Sequence, residues 1–134
     1  MPLEAEEYYS VRSPGFVWNA TMRRGPLPLA RGRDMYAGVK GHMLIKADSF
    51  FIVVAKGEEI DQGSMIRYLS EMLRFPTAFL ADNVSFELVD DNSVRATFTD
   101  RGRIVTATMY LDEEGRLTDF VAKRYRTIEG GYDL

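Results

Sequence analysis

Residues 57–79, GEEIDQGSMIRYLSEMLRFPTAF, form the one stretch whose apolar residues recur at helical spacing, in a chain that otherwise reads as short strands and turns. Met65, Ile66, Leu69, Met72 and Leu73 fall at i, i+1, i+4, i+7 and i+8, which places them on a single stripe. Burying such side chains is worth about 1.5–3 kcal/mol each, enough to hold a short helix that would not persist alone. Asp61 is placed to cap the helix and Pro76 to stop it just after Phe75, so the helix is expected near Ser64 to Arg74. One amphipathic helix among strands needs a sheet to cover its stripe.

Turn signals at short intervals point to antiparallel pairing. Ser13-Pro14-Gly15 separates strand-like runs at Glu4 to Arg12 and Phe16 to Arg24, and Phe16, Trp18, Ala20 and Met22 share one face of the second. Gly25-Pro26-Leu27-Pro28 is expected to break pairing before a strand at Arg31 to Ala37, with Gly38 and Gly41 marking the following turn. His42 to Lys46 and Phe50 to Ala55 continue the pattern. The second of these is apolar on both faces, which predicts a strand buried between two layers. After Pro76, the runs Val84–Val89, Val94–Thr99, Arg103–Leu111 and Arg116–Arg126 alternate with Asp, Asn, Ser and Gly turns, the pattern of a meander. The tail from Thr127 to Leu134 shows no terminal element. The expected fold is α+β: a curved, mostly antiparallel sheet of about seven to nine strands, with the main helix on its concave face.

Composition removes several function classes. At 134 residues the chain fits one domain able to hide roughly two-thirds of its unfolded surface. A net charge of −3 gives no attraction to nucleic acid or anionic lipid. Without cysteine there is no disulfide, thiolate nucleophile or Cys-built zinc site, and a single histidine, His42, gives little support to a metal centre or a Ser-His-Asp triad. The expectation is no cofactor and no metal. No apolar run approaches the roughly 20 residues needed to span a bilayer. The acidic start MPLEAEEYY lacks a secretion signal's basic and apolar regions, so a soluble, cytoplasmic protein is expected.

The segments PGFVW (Pro14 to Trp18), RGRD (Arg31 to Asp34), EIDQG (Glu59 to Gly63), RYLSEM (Arg67 to Met72), FPTA (Phe75 to Ala78) and KRYR (Lys123 to Arg126) cover most of the chain in order. In these the sequence resembles a bacterial family known only as a domain of unknown function. The resemblance implies a natural chain extending beyond both ends, so that residues 1–134 would be one domain of a longer protein. It also implies a fold similar to the open half-barrels of lipoprotein carriers, where a curved sheet wraps around helices and holds an apolar ligand. The family has no established activity, so it transfers no catalytic residue.

The leading expectation is therefore non-catalytic binding of a small apolar or amphipathic, lipid-like ligand between sheet and helix. Trp18, Tyr36, Phe51, Tyr68 and Leu69 would supply walls, with Arg33, Asp34, Arg67 and Glu71 orienting a polar head. Tyr8 and Tyr9 are further aromatic candidates. The same aromatics equally describe a filled core, and Arg67 with Glu71 equally describes a solvated ion pair. One alternative is a structural or self-associating module, a homodimer joined through exposed strand edges. Another is a hydrolase or isomerase using Asp34, Asp61 or Glu71 as acid or base. The loops Asp90-Asp91-Asn92 and Asp112-Glu113-Glu114-Gly115 resemble calcium ligands superficially, but tight turns need the same residues.

Overall fold

The computed structural model describes residues 2–47 and 51–134. Its strands are β1 (Leu3–Ser10), β2 (Gly15–Arg24), β3 (Leu27–Ala37), β4 (Lys40–Ala47), β5 (Phe51–Ala55), β6 (Val84–Asp90), β7 (Ser93–Asp100), β8 (Arg103–Leu111), β9 (Leu117–Val121), β10 (Arg126–Ile128) and β11 (Gly131–Asp133). One helix, α1 (Glu58–Glu71), is followed by 3-10 turns at Met72–Arg74 and Pro76–Leu80. The fold is α+β with antiparallel pairing throughout the described strands. Eleven described strands exceed the expected seven to nine, and they form a five-stranded sheet, a four-stranded sheet and a two-stranded ribbon. The chain divides into two compact units, Met1–Ser64 and Met65–Leu134, with the boundary inside α1.

In the first unit, β1 to β5 lie side by side in chain order. Hairpin chemistry explains that order. Gly25, at φ +60°, takes the first central position of a two-residue loop, and Pro26 the second, where its fixed φ fits a type II′ turn. Pairing thus continues through Arg24 and Leu27 instead of breaking as expected. A register shift between Met22 and Arg23 leaves Leu29 as the extra residue beside Pro28, absorbing the missing proline donor. Gly38 and Val39, at φ +57° and +62°, close the β3–β4 hairpin.

Gly41 lies not in that turn but in β4, where α1 comes closest. A Cβ there would stand 2.6 Å from the Ile60 carbonyl oxygen and closer still to the Ser64 hydroxyl. The helix starts earlier than expected, because the Gly57 carbonyl accepts the first helical bond from Asp61 N–H at 2.9 Å. Asp61 is consequently inside the first turn, not its cap. The expectation for β5 is also corrected: it is the sheet's edge, and Ile52, Val53 and Val54 are 63%, 48% and 50% exposed. An apolar run has no period that separates a central strand from an edge. Phe50, and the side chain of Phe51, lie outside the described residues.

In the second unit, register places Val84, Phe98 and Val105 in one row, with Ala96 and Ala107 in the next. These residues and Met109 are buried on one face of β6–β9. Tyr68 packs there, its ring 5.3 Å from Phe98 and 6.0 Å from Phe75. Met65, Ile66, Leu69 and Met72 are buried as the stripe predicts, while Leu73, in the middle of the tighter 3-10 turn, is 40% exposed. Phe75 leaves the helical region (φ −135°, ψ 71°), as the residue before a proline is disfavoured there. The tail is not featureless: Arg126–Ile128 and Gly131–Asp133 pair as a short hairpin.

Candidate functional site

The register of the first sheet sorts the sequence candidates. Trp18 is opposite Asp34, and Phe16 opposite Tyr36, so all four share one face. Phe16, Asp34 and Tyr36 are buried there, and the Trp18 ring passes over Gly32, where an added Cβ would lie 3.3 Å from Cζ3. Arg33, one residue from Asp34, faces the other way alongside Asn19 and Leu44. The strand period of two keeps Arg33 and Asp34 from converging on one group.

At the end of this sheet, where the β1–β2 loop reverses the chain, a cavity of about 370 Å³ opens. Phe16 and Tyr36 belong to its lining, as do Tyr8 and Tyr9 from β1. Ser10 and Ser13 bring hydroxyls to the same lining. Gly15 lets the strands close up here: a Cβ on it would be 2.7 Å from the Tyr36 carbonyl oxygen. The volume falls within the range of small-molecule pockets, about 300–1,000 Å³. Phe16, Ser10 and Ser13 were absent from the sequence expectation. Their signal was the Ser-Pro-Gly turn beside a tyrosine pair and a phenylalanine, which brings aromatic residues of successive strands to one sheet end.

The candidates of the second unit have other partners. Glu71 receives Arg67 Nε at 3.5 Å and Arg74 Nη1 at 3.2 Å, one on each carboxylate oxygen, and its side chain is only 14% exposed. The Arg67 side of this cluster is largely shielded, whereas the Arg74 side chain is 71% exposed. Tyr68 and Leu69 are fully buried. Burial pushes the Tyr68 hydroxyl up to about 12, and the Asp100 carboxylate adds to the shift.

Asp61 is buried and accepts from Lys40 Nζ at 2.9 Å and from Gly41 N–H at 2.8 Å, so both its oxygens serve the fold. The Asp112 loop is likewise self-satisfied. Asp112 Oδ1 accepts from the Arg116 and Glu114 backbone at 2.8 and 3.1 Å, and Oδ2 from Arg116 Nε at 2.8 Å. These bonds, that from the Arg116 backbone first, hold its carboxyl below the usual range. They make it a turn rather than a calcium loop. His42 sits within β4 with an enclosed Nδ1 that meets no hydrogen-bond partner among the described residues.

Among the described residues no three His, Cys, Asp or Glu side chains group as metal ligands, and no helix is long and apolar enough to cross a membrane. Comparison with curated proteins and with solved structures gave no match. A family model does match, over residues 1–134. The chain belongs to a family of unknown function, DUF6544.

Proposed function

We propose that this chain binds a small apolar or amphipathic molecule without transforming it, at the aromatic end of the first sheet. The cavity of about 370 Å³ beside Tyr8, Tyr9, Phe16 and Tyr36 carries this reading. Phe16 and Tyr36 are already buried and fixed beside the cavity, so little of their side-chain entropy would be lost on binding. Ser10 and Ser13 would orient the polar end of an amphipathic ligand. Trp18 and Asp34 lie one cross-strand pair further along the face of Phe16 and Tyr36, outside the cavity's lining. The proposal does not rest on Arg33, which faces away, or on Arg67 and Glu71, which hold each other. Acid–base chemistry draws no support from Asp61 or Glu71, whose oxygens are engaged.

Native mass spectrometry of gently purified protein tests the reading. An apolar species released on denaturation is the expected result, and a bare mass contradicts a tight carrier.

A second reading is favoured by one observation, the apolar open edge of β5. An uncharged edge strand is a template for pairing with another copy. In the same spectra, an unliganded dimer that a Val53→Lys substitution dissociates would support it.

A further inference from the structure

The face of the first sheet opposite Trp18 and Tyr36 carries three cations without an ion-pair partner among the described residues. Register pairs Arg31 directly with Lys46, and Arg33 follows two residues on along the same strand face. Same-face neighbours across antiparallel strands stand about 4.5–5.5 Å apart at Cβ, and residues i and i+2 about 7 Å apart. Like charges placed directly opposite one another destabilise a sheet. All three side chains are exposed, and none is ion-paired with a described residue. Among the described residues, register puts Glu4 and Glu6 of β1 on this face, where Glu4 pairs with Arg23 at 3.3 Å and Glu6 accepts from the Tyr8 hydroxyl at 3.4 Å.

Between the cations lies a depression of about 250 Å³, to which Asn19 and Thr21 add an amide and a hydroxyl. Ala20 and Gly32 contribute to it from strand positions whose side-chain direction is the opposite face, so backbone forms its floor.

We propose that this depression is a binding site for a phosphate-class anion, separate from the aromatic cavity. A phosphate group carries about −1.5 to −2 charges at neutral pH and three acceptor oxygens, enough to offset the Arg31–Lys46 repulsion. The two guanidinium groups match its oxygens as two-pronged donors, and Lys46 adds a point charge. The size of the depression suits a small phosphate ester or one headgroup. A nucleic acid strand needs a long basic track, which a chain of net charge −3 does not offer.

The test is calorimetric titration of the full chain with inorganic phosphate, against chloride at matched ionic strength, and then with vesicles of phosphatidylcholine with and without phosphatidic acid. Arg33→Gln and Lys46→Gln are the variants, both at exposed positions where folding is preserved. Saturable phosphate binding at one site, weakened about tenfold by either variant, is the result expected for a soluble phosphate ester. Binding confined to phosphatidic acid vesicles and weakened by the same variants assigns the same chemistry to a lipid headgroup. Absence of binding to both probes, or binding that the variants leave unchanged, overturns the site.

Discussion

At the scale of single residues, Asp61 and Lys40 form an ion pair whose two halves contribute unequally. Asp61 is 1% exposed and satisfies the buried Gly41 N–H as well as the ammonium, whereas the Lys40 side chain is 66% exposed. Asp61→Ala leaves a buried donor unpaired and is expected to cost about 2–3 kcal/mol. Lys40→Ala should cost less than about 1 kcal/mol, as for other surface pairs. Denaturant midpoints of the two variants check the asymmetry, and equal losses would contradict it. Tyr68 gives a pH signature. Its hydroxyl is raised in the folded state from 10.0 to about 12, so between those values the native chain holds a proton that the unfolded chain has released. Stability should therefore fall as pH rises from about 10 to 12. Tyr68→Phe should remove that part of the slope, and an unchanged slope would refute the burial argument. From the sequence Tyr68 is expected as a pocket wall beside the helix stripe, because helix periodicity gives a stripe but not its width. The structure widens the buried stripe to include Asp61, Ser64 and Tyr68.

At the scale of elements, β4 and the first half of α1 approach closely at Gly41. Gly41→Ala would force a methyl against the Ile60 carbonyl, and a loss of about 1–3 kcal/mol is expected, typical of overpacking, with backbone that cannot step aside. A melting temperature within a degree or so of the wild type would show that the approach is looser than this. The β3–β4 hairpin offers the reverse experiment. Val39 holds φ +62°, a conformation costly for a β-branched residue, so Val39→Asn is expected to stabilise the protein by about 1 kcal/mol in the same assay. The strands themselves were legible, because alternation and turn residues mark β2, β7 and β8 within a residue or two. The elements misread were those governed by context. The Pro26 turn was taken for a break because proline loses a ladder donor, yet a two-residue loop needs none at that position. In β5 the run Ile52-Val53-Val54 has no polar residue to reveal its exposed faces.

At the scale of the whole molecule, the sequence specified an α+β chain with one main helix and antiparallel sheets. It left the division into two sheets unread, because turn spacing reports hairpins and not where a sheet stops. The candidate site was partly legible for the same reason. Alternation alone puts Trp18 on the face of Phe16, but that Asp34 and Tyr36 share this face, and that a cavity opens beside Tyr8, Tyr9 and Phe16, depends on which strand residues meet, and that is a property of register. The second cluster, Arg31 with Arg33 and Lys46, was invisible until β3 was paired with β4. Binding in the aromatic cavity is the central claim, and a titration with the neutral fluorescent probe N-phenyl-1-naphthylamine tests it most directly. The wild-type chain should show saturable enhancement at one site per chain, and Ser10→Trp, which fills the cavity from an exposed position, should weaken it about tenfold, or 1.4 kcal/mol. No saturable enhancement, or equal affinity in the two proteins, would contradict the account.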